Sequence, residues 1–294
     1  MRAFWVSVFV LGLVGVSCQD EPASGSSSSA GAAAVAEQAA REAREAAEKA
    51  LNPKGLPVYS GPVGGVRGLV KVSGDPAPSV PAMLQKLPAD TCPQARELHA
   101  KLFREGPGRT LGDVLVTVTE YQGYLPPRSE AIRIDAKGCA YGSRILAMTF
   151  GQRLDVYNLD DQAYMPRLLG TPSYALRVAM PGGSPVPVFA PKPGQYMLVE
   201  QTREYMRSDL FVLSYPTFYV TAPDGKFEIA LLPVGKVKVT VYAPAFGKIV
   251  EQRVDIAANA TTDLSFELAF SEAEYEASMK QAGAPAPQPT PPAK

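Results

Sequence analysis

Residues 221–242 read TAPDGKFEIALLPVGKVKVTVY, and this stretch decides the fold. Asp224-Gly225 is a tight-turn dipeptide, because Asp folds its side chain back onto the backbone and Gly accepts a positive φ. The run Lys226–Ala230 alternates apolar and polar residues, the pattern of a half-buried strand. Leu232-Pro233-Val234-Gly235 supplies a second reversal. Lys236–Tyr242 then alternates again, with Val237, Val239 and Val241 on one face. Asp-Gly thus permits a tight hairpin, and Gly235 permits the second reversal.

The same grammar extends in both directions. Downstream lie Lys248–Ile256 and Thr262–Leu268. Upstream, Val66–Val72 alternates around Gly68 and stops at Ser73-Gly74-Asp75-Pro76, and Asp113–Glu120 sets Val114, Val116 and Val118 on one face. Between these lie shorter candidates: Ala131–Asp135, Arg144–Phe150, Arg153–Tyr157, Tyr174–Val178, Val186–Phe189, Gln195–Glu200, Leu210–Leu213 and Phe218–Thr221. One helix is expected within Pro93–Arg104. The 28 Pro and 25 Gly favour short strands and many turns over long packed helices. The class is mainly β, with β-sandwiches.

The N-terminal end is of another kind. Arg2 precedes an apolar run, Ala3–Val16, too short for a transmembrane helix of about 20 residues and suited to a secretory signal. Gly15-Val16-Ser17-Cys18 followed by Gln19-Asp20-Glu21 resembles a bacterial lipoprotein signal. That resemblance implies removal of residues 1–17 and acylation of Cys18, the lipid attachment site. Gly15 stands where Leu or Val is usual, and an ordinary signal peptide leaving Cys18 as a spare thiol is the alternative.

Residues 18–57 divide into a Ser/Ala/Gly tether and an Ala-, Glu- and Arg-rich helix, Ala32–Leu51. With almost no large apolar residue, that helix is expected to be a solvated spacer. Residues 271–294 turn Ala- and Pro-rich and are expected to be disordered. Export would leave Cys92 and Cys139 as a pair in an oxidising compartment. A disulfide or two buried thiols would satisfy that count.

Two family likenesses carry the domain reading. The Asp-Gly turn, strand, Pro-x-Gly turn and strand of 221–242 resemble the carboxypeptidase regulatory-like domain, and Val66-Arg67-Gly68-Leu69-Val70 resembles its first strand. This implies a transthyretin-like sandwich split over 58–120 and 217–270, with no catalytic group. The inserted residues 121–216 hold Gly138-Cys139-Ala140-Tyr141, Ile145-Leu146-Ala147-Met148, Gly151-Gln152-Arg153-Leu154 and Asn158-Leu159-Asp160. These resemble the cupredoxin-like proteins associated with methylamine utilisation.

The resemblance implies a copper site and also where its ligands would fall: Tyr164 for the first His, Glu200 for Cys, Arg203 for the second His and Met206 for Met. Blue copper needs a thiolate and two imidazoles, with thioether as the weak axial partner. Phenol, carboxylate and guanidinium cannot replace them, so these are degenerate former copper positions and no cofactor or metal is expected. The single His, His99, lies outside the motif.

Other chemistry has little support. One His cannot furnish a zinc site, and no nucleophile elbow surrounds any Ser. Asp160-Asp161 with Asp209 could make a carboxylate pair, but Asp160 reads as a turn residue. Met148, Met165, Met180, Met197 and Met206 could supply a Cu(I) site, against the simpler reading of adaptable core fillers. A formal net charge of zero without a basic block excludes a nucleic-acid footprint.

The expected function is therefore a non-catalytic, lipid-anchored binding or scaffolding module. Its place is the periplasmic face or surface of a bacterial outer membrane, and its partner an envelope protein, peptide or glycan. The alternative is a copper-handling or redox protein using the Met set. A partner-binding face lined by Tyr164, Arg203 and Tyr205 is a further expectation.

Overall fold

A computed structural model of the chain describes residues 38, 42, 45–88, 91–171 and 177–282. The expected signal peptide, Cys18, the expected tether and the segment beyond 282 lie outside the described residues. The chain divides into two units, 1–42 and 43–294. Of the first, Gln38 and Glu42 are described; both are helical, and Gln38 Nε2 donates to Glu42 Oε1 at 2.7 Å.

The second unit is mainly β. Its strands are β1 (Val63–Gly74), β2 (Leu115–Thr119), β3 (Ala131–Ala136), β4 (Ile145–Thr149), β5 (Arg153–Asn158), β6 (Pro166–Leu168), β7 (Val186–Phe189), β8 (Gly194–Glu200), β9 (Arg207–Leu213), β10 (Phe218–Val220), β11 (Lys226–Pro233), β12 (Gly235–Ala243), β13 (Lys248–Ile256) and β14 (Thr261–Phe270). Helices α1 (Pro81–Lys86), α2 (Pro93–His99) and α3 (Glu272–Ala282) complete it.

A first sandwich packs the sheet β11-β1-β14 against the sheet β10-β2-β12-β13. Alternation dictates its core: Val116 and Val118 of β2, Val239 and Val241 of β12, and Val66 and Val70 of β1 meet Phe227 and Phe266 inside. Gly68 is the gap in the β1 pattern because a Cβ there would lie 2.2 Å from Leu264 O and 2.8 Å from the Phe227 ring. Gly225, at φ +67, closes the Asp-Gly turn, and Asp224 Oδ1 accepts the Lys226 amide at 3.1 Å.

All strands of a second sandwich fall between β2 and β10. Sheet β3-β5-β7 faces sheet β4-β9-β8-β6 around Met148, Leu154, Val156, Leu198 and Leu210. The two sandwiches meet face to face. Leu115 of β2 and Tyr242 of β12 pack on Ile145 and Ala147 of β4 and on Phe211 and Leu213 of β9. Asp113 pins this contact: its carboxylate accepts Arg104 in two bonds of 2.6 Å each, the Ser143 hydroxyl at 3.1 Å and the Arg144 amide at 3.2 Å.

Several sequence expectations are corrected. Residues 272–282 form a helix rather than a disordered tail, with Tyr275 packed beside Phe270 at 6.1 Å between ring centroids. The helical residues 45–51 are not a solvated spacer at their end, since Ala47 and Leu51 are buried. Small Ala47 comes so near the turn at Gly151 that a Cβ on that glycine would stand 2.8 Å from it. The helix expected within Pro93–Arg104 stops at His99. Strand β6 was not legible, because three residues beginning with Pro show no alternation. Of the strand expected at 174–178, residues 174–176 lie outside the described residues, and Arg177 and Val178 are not strand.

Candidate functional site

The four residues that the resemblance aligns with copper ligands are brought together at one end of the second sandwich. Tyr164 precedes β6, Glu200 ends β8, and Arg203 and Met206 lie in the turn leading to β9. Glu200 and Met206 close that turn, the Glu200 amide donating to Met206 O at 2.9 Å.

Each side chain is engaged within the protein. The Tyr164 hydroxyl donates to Asp160 Oδ2 at 2.5 Å and accepts Gln162 Nε2 at 2.8 Å. Arg203 stands over the Tyr164 ring, 5.3 Å from its centroid, and donates to Gln162 Oε1 at 2.7 Å. Such a cation over a partly desolvated ring contributes about 0.5–2 kcal/mol. The Glu200 side chain is fully buried. It accepts the amides of Met165, Thr202 and Arg203 and the Thr202 hydroxyl, at 3.1, 2.7, 2.6 and 2.8 Å. A buried carboxylate with that many donors braces a turn. Met206 is buried in the sandwich core with Leu198 and Tyr164.

Charge follows the same wiring. Burial alone would raise the Asp160 carboxyl, but bonds from Tyr164, Gly138 and Cys139, with Lys137 nearby, hold it below the ordinary range. Burial, followed by the Asp160 carboxylate, pushes the Tyr164 phenol far up, so it stays protonated. Burial, followed by Glu200 and Tyr164, does the same to Tyr141, whose hydroxyl has no partner among the described residues.

This donor set does not fit blue copper. A protonated phenol, a carboxylate committed to four donors and a guanidinium surround one thioether, whereas the ion needs thiolate and imidazole. Among the described residues, no three His, Cys, Asp or Glu side chains are grouped to hold a metal ion. The methionines are dispersed: Met148 and Met206 fill the core, Met165 and Met197 are half-buried, and Met180 is 56% exposed.

Cys92 and Cys139 form a disulfide with Cα atoms 5.1 Å apart. It ties α2 to the turn before β4, where Gln162 Nε2 reaches Cys139 Sγ at 3.3 Å. The expected face of Tyr164, Arg203 and Tyr205 is corrected: Tyr164 is fully buried, and the Tyr205 hydroxyl turns to Cys92 Sγ at 3.5 Å. Asp160 is a structural acceptor for the Gly138 and Cys139 amides at 2.9 and 3.2 Å, while Asp161 is exposed.

Sequence reasoning missed His99. It is 7% exposed, its Nε2 has no partner among the described residues, and its pKa is lowered to about 3 by burial and then by Arg144, Arg207 and Arg104. The signal lay in its helix: Ala95, Leu98 and His99 share the buried side of α2. No helix among the described residues is long and apolar enough to cross a membrane, which says nothing of a β-barrel.

No family model matches the chain, and no curated protein matches it. Solved cupredoxins are among its structural neighbours. A methionine-to-glutamine mutant of amicyanin with Cu(I) is 16% identical over 28% of this chain and 82% of its own, with a TM-score of 0.25. A proline-to-phenylalanine mutant of amicyanin in its reduced state covers 33% of this chain and 98% of its own at the same identity and score. The copper-containing nitrite reductase of Thermus scotoductus SA-01 is 17% identical over 33% of this chain and 25% of its own, with a TM-score of 0.24.

Proposed function

We propose that the protein is a non-catalytic binding or scaffolding module held at a bacterial envelope membrane through acylated Cys18. In this reading a carboxypeptidase regulatory-like sandwich carries an inserted cupredoxin-like sandwich that has given up copper. The observation that supports it is the fate of Glu200. At the position where a thiolate would bind copper, a buried carboxylate is spent on Met165, Thr202 and Arg203.

Titrating the purified protein with Cu(II), and with Cu(I) under reductant, tests the metal part. The expected result is no intense visible band and no stoichiometric shift in melting. A tight one-to-one complex would replace this reading with copper handling. The anchor is tested separately: Cys18→Ser should move the protein from the detergent phase to the aqueous phase, since each buried CH₂ of an acyl chain contributes about 0.8 kcal/mol. An unmodified mature N-terminus at another residue would remove the lipoprotein assignment.

A further inference from the structure

A groove of about 450 Å³ runs beside β10, between the two sandwiches. It is lined by Phe218 and Val220 of β10, which pack beside Ile145 and Ala147 of β4, and by Ile132 and Ile134 of β3. Each of these three strands is the outermost of its sheet. Three strand edges therefore border one apolar trough.

Register shows which main-chain groups face into it. Val118 donates to Thr217 O and Thr221 donates to Val114 O, so on β10 the odd-numbered residues bond to β2. Antiparallel pairing alternates, which turns the N–H and C=O groups of Phe218 and Val220 away from β2 toward the groove. On β4, Asp209 donates to Arg144 O and Phe150 donates to Leu213 O, so the even-numbered residues bond to β9. That leaves Ala147 facing outward. The neighbouring Thr149 amide is already covered by Gln152 Oε1 at 2.8 Å.

Charge is uneven along the trough. Its Thr221–Pro223 end is lined by Arg104 and Ser143. Behind them the guanidiniums of Arg104, Arg144 and Arg207 stand against the carboxylates of Asp113 and Asp209. An anionic group at that end meets an excess of positive charge.

We propose that the groove binds an extended segment of a protein partner, which adds as a strand to Phe218–Val220 and directs a carboxylate to the Arg104 end. Main-chain bonding gives such a complex its affinity, and the apolar walls accept alternate side chains. The inference rests on the binding-module reading and names its ligand class.

The test uses the whole protein and the peptide Thr-Val-Thr-Val-Thr-Val-Asp, followed by amide hydrogen exchange and calorimetry. In the free protein the Phe218 and Val220 amides should exchange fast and the Tyr219 amide slowly. Peptide should bind saturably and slow the first two. Two peptides N-methylated at alternate residues, in opposite phase, should differ at least ten-fold, because only one edge of the peptide meets β10. Replacing the terminal Asp by Lys should weaken binding several-fold. Val220→Pro, which removes an outward N–H without touching the β2 ladder, should do likewise, with melting reporting whether the variant folds.

The proposal is overturned by any of three results: unchanged exchange at Phe218 and Val220 in millimolar peptide, equal binding of the two N-methylated peptides, or protection of those amides by self-association. The last would make a second copy the occupant. Copper binding in the separate titration would remove the function reading and leave the exchange result standing. Failure of the peptide alone would leave the copper-free reading intact.

Discussion

Asp160 receives the Tyr164 hydroxyl at 2.5 Å on the same carboxylate oxygen that accepts the Cys139 amide at 3.2 Å. One acid thus couples the disulfide turn to the Tyr164 phenol. Tyr164→Phe should cost about 1–2 kcal/mol, the value of one charge-assisted bond at a partly solvated acid. Asp160→Ala should cost more, since it also strands the Gly138 and Cys139 amides. Urea melts of the two variants check the order, and equal losses would contradict it.

Asp113 is the second acid of consequence. Its side chain is 3% exposed and that of Arg104 is 15% exposed. Truncation leaves a nearly buried guanidinium without its partner. Asp113→Ala should therefore cost about 3–5 kcal/mol. Asp113→Asn should cost less, because Asn still accepts from Ser143 and tolerates the positive φ of 58 at this position. Equal stability of the two variants in denaturant would show that the bonds do not fasten the sandwiches.

His99 makes stability depend on pH. Its pKa is lowered to about 3 in the folded protein, chiefly by burial, while the unfolded chain titrates near the ordinary 6.5. Between those values only the unfolded state takes the proton. The contribution is complete above about pH 6.5 and is lost as pH falls toward 3, at no more than about 1.4 kcal/mol per pH unit. His99→Leu should flatten the stability profile between pH 6.5 and 4.5. An unchanged slope would refute the assignment.

The Cys92–Cys139 bridge closes a span of 47 residues. The loop-entropy model gives it about 4 kcal/mol. Cys92→Ser with Cys139→Ser should lower stability by that order, and reduction of the parent should lower it similarly. Non-reducing peptide mapping of the purified protein should recover the two cysteines linked.

Where one face of a strand is turned to a core, alternation made the strand readable: β7 and β13 run over the same residues that the pattern marks. Where both faces are buried the pattern says less. Thr117 and Thr119 of β2 read as an outer face, yet both are buried against the second sandwich. A polar residue does not announce that another layer will cover it. Helix α3 was hidden by the Ala- and Pro-rich composition that follows it, although Tyr275 was its packing residue. The ligand positions were read through likeness and not through physics. The wiring of Tyr164 to Asp160, Gln162 and Arg203 depends on loops whose meeting no local pattern encodes.

Thr117 and Phe218 are register partners on β2 and β10, so the chain leaves the first sandwich and re-enters it on adjacent strands. The whole second sandwich therefore occupies the place of a hairpin turn. Closing so long an unstructured loop is entropically unfavourable, and the cost is removed when the intervening residues are already compact with their ends together. Maturation is thus expected to run from the inside out. The later-synthesised β11–β14 would find a finished β2–β10 ribbon only after the guest has folded, and a lesion in the guest would surface as an assembly defect in its host.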